Sequence, residues 1–123
     1  MLALALVTLL SAPPHQDPIP RMLKTIEPAR LMSTVETLVG FGTRHSASDT
    51  ESEKTGIGAA RRWIRSEFNA ISKATGGRLE IHEQHFTVNA RGLGEVDMVN
   101  VYGFLPGTGV DPQGRTYVVS GHY

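Results

Sequence analysis

The sequence has no cysteine in its 123 residues. That excludes a disulfide framework, a thiolate zinc site and a cysteine nucleophile. It says nothing about compartment, because an exported protein need not carry disulfides. There is no excess of either charge, since twelve basic and twelve acidic residues cancel. No basic stripe offers itself to nucleic acid and no acidic tail is present, so nucleic acid is not an expected partner. No long apolar run is present either. The longest, residues 1–12, is apolar except for Thr8 and Ser11 and is too short to span a membrane. Also missing are a nucleophile elbow, a phosphate-binding glycine loop and a His-Glu-x-x-His motif. Gly56-Ile57-Gly58 is too short to count as a nucleotide signature, and no internal repeat is visible.

What remains is an ordinary globular composition, 40% hydrophobic and 20% charged, of a size that makes one domain or part of one. Residues 1–12 have the length of the apolar core of an export signal, although no Lys or Arg precedes them. An exported protein, periplasmic or extracellular, is therefore expected, with the mature chain beginning between Ala12 and Arg21. Residues 13–27 read as a Pro-rich linker, with four prolines between Pro13 and Pro20 and His15 solvated among them.

From Pro28 onward the pattern turns helical. Pro28 suits a first helical turn, and Leu31, Val35, Leu38 and Val39 recur on one face with Met32 beside them. Gly40 and Gly42 should end this helix. A polar loop follows over 43–53, with Ser52 or Thr55 able to cap the next helix. Ile57, Ala60, Ile64, Phe68 and Ile71 trace a second apolar stripe to about Ala74, and Gly76-Gly77 stops it. Arg61, Arg62 and Arg65 lie off that stripe, as on a solvated helix face.

Strand-like sequence follows. Residues 78–88 carry Leu79, Ile81, Phe86 and Val88 among polar neighbours, as in an edge strand with one wet face. Residues 89–94 are a loop, and 96–105 read as the next strand. Residues 106–114 form a connection with turn chemistry at Asp111-Pro112-Gln113-Gly114, of a length that suits an antiparallel pair. Thr116-Tyr117-Val118-Val119 then reads as a short buried strand. The order helix, helix, strand, strand, strand indicates α+β or the mixed edge of an α/β sheet.

His122 is the best-placed candidate for chemistry. It stands just past the last strand, after Ser120-Gly121, and ligands in open α/β sheets gather beyond the carboxyl ends of strands. His82 and His85 are spaced as His-x-x-His, but three residues apart on a strand they point to opposite faces and do not readily share a metal. Arg44-His45 lies in a loop flanked by glycine and serine. Glu80, Glu83, Glu95 and Asp97 form no pair whose spacing demands acid–base chemistry.

These residues also carry a resemblance. Val118-Val119-Ser120-Gly121-His122-Tyr123 resembles the strand that delivers the first metal-binding His in zinc-dependent aminopeptidases of the aminopeptidase Y type, although the Asp and Ser that usually follow are not present. Leu38-Val39-Gly40-Phe41-Gly42-Thr43-Arg44 and Gly56-Ile57-Gly58-Ala59-Ala60-Arg61-Arg62-Trp63-Ile64 resemble the family's opening loop and next helix, in the same order. The resemblance implies an α/β fold over residues 28–123, the N-terminal part of a mixed, mostly parallel sheet flanked by helices and truncated after its first strands. It implies peptide or protein N-termini as substrate and two zinc ions bridged by a water and a carboxylate, with a Glu as general base. Only His122 maps onto that machinery, as a zinc ligand. The bridging Asp, the general base and the other ligands come later in the family pattern, so this chain looks like an N-terminal fragment, inactive alone. An Asp and then a small residue are expected directly after Tyr123. Two other readings share the fold: a single-zinc glutaminyl cyclase, in which this His is not a ligand, and a non-catalytic binding or receptor domain.

Overall fold

The computed structural model describes residues 17–109 and 114–123. The apolar leader at 1–12 and most of the Asp111–Gly114 turn lie outside the described residues. Among the described residues three helices precede a hairpin: α1 (Ile19–Leu23), α2 (Pro28–Gly40), α3 (Gly56–Ala74), β1 (Glu80–Ala90) and β2 (Gly94–Phe104).

The expected linker holds a short helix. The Asp17 carboxylate accepts the Ile19 N–H at 3.0 Å, and Pro20 sits in the first turn, where its missing N–H costs nothing. Helix α2 begins at Pro28 and ends at Gly40, with Gly42 at φ 70° receiving the chain as it leaves. Its apolar face does not become core, however. Leu31, Met32, Val35 and Val39 are all more than half exposed, and no α2 residue is buried. Amphipathic spacing specifies a face that can be buried, but burial needs an opposing element, and among the described residues none lies over this one.

Helix α3 is where the core forms. Ile57, Ala59 and Ala60 are buried, together with Val96 and Val99 of β2. Phe41, just past α2, reaches Trp63 with ring centroids 6.2 Å apart. The start of α3 is built by a loop folding back rather than by the residues expected to cap it. Thr55 is the N-cap residue but its side chain makes no capping bond. The free N–H groups of the first turn are met from upstream: Gly56 by the Phe41 carbonyl at 2.9 Å, Ile57 by Ser48 Oγ at 2.9 Å, and Gly58 by the Asp49 carbonyl at 3.1 Å. Arg62 then clamps the same loop, its guanidinium donating to the carbonyls of Thr50, Glu51 and Ser52. At the other end Gly76 and Gly77 take positive φ, and Gly77 N–H returns to the Ser72 carbonyl at 2.8 Å.

Asp49 holds this loop in shape. Its carboxylate accepts the N–H groups of Glu51 at 2.8 Å and Ser52 at 3.0 Å. The Ser52 bond first, then the Glu51 bond, favour the ionised form and hold the carboxyl below its ordinary 3.8, with Arg62 adding to them and slight burial opposing. A folded pKa below the unfolded one contributes stability above the unfolded value and loses it as pH falls through the folded value. Asp49→Asn keeps an acceptor but cannot titrate. It should lower the urea midpoint at neutral pH, and its gap to wild type should close below pH 3.8. A gap that stays constant down to about pH 2 would remove Asp49 from this role.

The strands form an antiparallel pair, with Glu80 opposite Phe104, His85 opposite Val99 and Ala90 opposite Gly94. Gly92 and Gly94, at φ 83° and 74°, make the reversal between them. Both strands fall within a few residues of the sequence expectation, but the antiparallel pairing joins them to each other, and the pair expected across residues 106–114 does not form among the described residues. The wider sheet differs as well. The two strands are antiparallel, so the mostly parallel sheet expected from the resemblance is not present among the described residues. Residues 116–119, read as a buried strand, are unpaired, and Val119 is 97% exposed. An apolar, β-branched run becomes a strand only where a neighbouring edge supplies its ladder, and the described residues offer 116–119 none.

Candidate functional site

The end of the chain turns back toward the hairpin. Tyr123 is half-buried, and its hydroxyl donates to the Val99 carbonyl at 2.9 Å. That bond brings Ser120, Gly121 and His122 over β2. They close one side of a cleft of about 480 Å³ whose other walls are Arg44, His45 and Ser46 of the loop, Ile57 and Arg61 of α3, and Met98, Val99 and Asn100 of β2. The volume lies within the range of small-ligand sites, roughly 300–1,000 Å³. His122 itself is exposed, and it also borders a second cleft with Ile64, Phe68 and Tyr102.

The structure brings together residues that lie far apart in sequence. His45 and His122 border the same cleft, with Arg44 and Arg61 between the loop and the helix. Arg44 is anchored by a hydrogen bond from Nη1 to the Leu38 carbonyl. Arg61, expected on a solvated face, is instead half-buried, and its Nη2 donates to the Asp97 carbonyl at 3.2 Å. Sequence pattern could not find it. An arginine off the apolar stripe reads as solvated until the neighbouring strand is in place.

His45 has a defined tautomer. Its Nδ1 accepts the Ala47 N–H at 3.1 Å, so in the neutral ring the proton sits on Nε2. A metal-binding imidazole presents a bare nitrogen and usually donates from the other. His45 has the reverse arrangement and is built as a hydrogen-bond donor.

The remaining candidates stay apart from the cleft. His82 stacks on Tyr102, directly across the hairpin, at 5.2 Å between ring centroids. His85 lies 3.4 Å from Glu83 and 3.7 Å from Asp97 instead, and Glu83 also takes Arg65 at 3.1 Å. Arg65–Glu83 is an exposed ion pair of small energetic value, and the His85 contacts are polar contacts of the same strand surface. Glu80 lies 3.6 Å from His82, and Glu95 is exposed near the start of β2, opposite Asn89.

The chain is similar to proteins named probable zinc metalloproteases. It is 43% identical over 103 residues to one from Pyricularia oryzae, covering 82% of this chain and 20% of that protein. It is 34% identical over 112 residues to one from Pyrenophora teres f. teres, covering 89% of this chain and 23% of that protein. A third, from Phaeosphaeria nodorum, is 33% identical over 106 residues, covering 83% and 21%. The chain thus spans between a fifth and a quarter of the length of these relatives. No family model matches it, and no solved structure gives a significant match.

The zinc implied by those names can be tested against the donors present. Protein zinc sites use three or four ligands. Among the described residues no three of His, Asp and Glu come together to hold a metal. His122 offers one imidazole, His45 has the wrong nitrogen protonated, and no Asp or Glu side chain lines the cleft. The described residues do not by themselves fit a zinc ion.

Proposed function

We propose that this chain is the N-terminal portion of a zinc-dependent aminopeptidase, a hydrolase acting on peptide N-termini, in which His122 supplies one metal ligand. The similarity to probable zinc metalloproteases over four fifths of the chain carries the reading. The placement of His122 at the mouth of a cleft, held there by the Tyr123–Val99 hydrogen bond, supports it. In this reading the other ligands and the general base come from sequence beyond these residues, and the exposed run at 116–119 pairs with strands found there. Export, with residues 1–12 as the signal, belongs to the same proposal.

The segment's own part is positional. Helix α3 and the 45–55 loop lock to one another through the backbone bonds at Gly56 and Gly58, and β2 packs against the start of α3. Together they fix the wall against which His122 rests.

The test joins sequence with specificity. Reading the gene past Tyr123 should give Asp followed by a small residue, then a Gly/Ala-flanked Asp and a Glu-Glu pair. The protein so encoded, assayed on paired peptides, should cleave those with a free N-terminus and spare the N-acetylated forms. Equal cleavage of both would make it an endopeptidase and overturn the aminopeptidase reading. A frame without those acids would overturn the zinc peptidase reading altogether.

A further inference from the structure

We propose that the groove between β2 and residues 115–121 is the seat of one further β-strand, an uncharged apolar segment of the longer protein. The proposal rests on the longer protein of the reading above, and on neither its zinc nor its peptidase activity. This chain covers 20% of one relative and 23% of another, so most of the sequence able to supply a strand lies outside these residues. Two backbone edges face each other across the groove and run in opposite directions. Residues 120–123 stand opposite Met98 to Asn100, residues 118–121 opposite Asn100 to Gly103, and residues 115–117 opposite Gly103 to Leu105. Among the described residues no ladder joins them, and clefts of about 590 Å³ each lie between them at the second and third of these places.

Tyr123 crosses the gap with the tip of its side chain, and its bond to the Val99 carbonyl reveals the parity of β2. Residues of an antiparallel strand alternate between those bonded to the partner and those facing away. With the Val99 carbonyl turned away from β1, the N–H and C=O of Val101 and Gly103 turn the same way, and among the described residues they meet no partner. The Asp97 carbonyl, taken by Arg61, follows the same parity. The opposite edge is equally open, since Tyr117, Val118 and Val119 are unpaired and more than four-fifths exposed.

A strand between two such edges satisfies both. Because the flanks are antiparallel, it must run parallel to one and antiparallel to the other, which makes the sheet mixed. Its length is bounded. Arg61 and Tyr123 already hold the outer carbonyls of Asp97 and Val99, leaving the edge from Asn100 to Leu105, room for about five residues. Its chemistry is set by the lining. Ile64 and Phe68 of α3 and Leu79 line the middle of the groove, and no Asp, Glu, Lys or Arg does. An apolar, β-branched run fits there and a charged one does not. The outer edge of β1 in a second copy is a poor match for that reason, because Glu80, His82, Glu83 and His85 crowd it.

The experiment compares the 123-residue chain with the longer protein by amide hydrogen exchange, read by mass spectrometry on fragments covering 99–105 and 115–121. In the short chain the outward amides of both should exchange fast. In the longer protein both fragments should slow by on the order of a hundredfold or more. Slowing at one edge only, or at neither, would overturn the proposal. So would slowing already present in the short chain. If that slowing grows with concentration the occupant is a second copy, and if it disappears on deleting residues 1–12 it is that segment. A second measurement reads the spacing. In the longer protein Val101→Cys is combined in turn with Tyr117→Cys, Val118→Cys and Val119→Cys. Direct strand neighbours come within the roughly 4.4–6.8 Å between Cα atoms that a disulfide spans. An intervening strand holds them roughly 9.6 Å apart, two strand spacings. No pair should oxidise to a disulfide, and a bridge in any of them would overturn the proposal. If a variant does not fold, exchange in the wild-type protein decides alone. Two protected edges in a protein later found not to be a zinc peptidase would leave the strand assignment standing, whereas open edges in an active aminopeptidase would overturn it alone.

Discussion

Gly58→Ala is expected to destabilise the fold by about 3 kcal/mol, the upper end of what overpacking costs. The reason is backbone, not side chain. A Cβ at Gly58 would lie 2.5 Å from the Thr50 carbonyl carbon and 2.7 Å from its Cα, and closer still to its oxygen. No rotamer change relieves a clash with main chain. The loop cannot retreat cheaply either, because Gly58 N–H bonds the Asp49 carbonyl and Arg62 holds the Thr50 carbonyl at 2.9 Å. Gly56 is similarly constrained: it has φ 82° and faces Asp49, so Gly56→Ala adds backbone strain to crowding. The control is Gly40→Ala at the end of α2, where a Cβ would meet nothing within 4 Å. It should be neutral or stabilising by up to about 1 kcal/mol, since alanine is the better helix former. Urea melts followed by helical circular dichroism would separate the three. If Gly58→Ala melts like Gly40→Ala, the loop does not sit on α3 as described.

That packing explains what the sequence could and could not tell. Helices α2 and α3 were legible because Pro28, the apolar repeats and the terminal glycines are local signals within one or two turns. The two strands were legible from their composition, but not that they pair with each other, because the antiparallel pair was expected at the later connection. The cap of α3 was not legible, because Ser48 reaches Ile57 from nine residues upstream, outside any capping pattern. Gly56-Ile57-Gly58 was too short to be a nucleotide signature, and its packing role was hidden for the same reason: that role lies in the loop that presses on it. Burial was the least legible property. Leu31, Val35 and Tyr117 to Val119 have the composition of core yet stand exposed, because composition states what a surface would prefer and only neighbours supply it. At the site, His122 was singled out by its position after a strand-like run. The cleft that receives it was not foreseen, since Arg61 and His45 join it only through tertiary contacts.

The same geometry governs how the chain should meet zinc. Titrated alone, it is expected to bind Zn²⁺ only weakly, in the manner of a single exposed imidazole, and to show no turnover of a leucyl anilide. A tight site needs three or four ligands held together before the metal arrives. His122 makes no hydrogen bond among the described residues that would fix its ring, and its neighbour in the cleft cannot help. For His45 to ligate through Nε2 it would have to give up the Ala47 N–H bond and change tautomer. Arg44 and Arg61 stand in the same cleft, so a dication entering it meets two positive charges with no Asp or Glu side chain lining the cleft to offset them. His82 and His85 offer no alternative, one stacked on Tyr102 and the other beside Glu83 and Asp97. His122→Ala should therefore change the isotherm little. On the proposed peptidase reading, a longer chain that carries the expected acids should bind zinc several orders of magnitude more tightly, because those carboxylates would complete the ligand set. Sub-micromolar zinc binding by the 123-residue chain, abolished by His122→Ala, would instead show that these residues already assemble a metal centre.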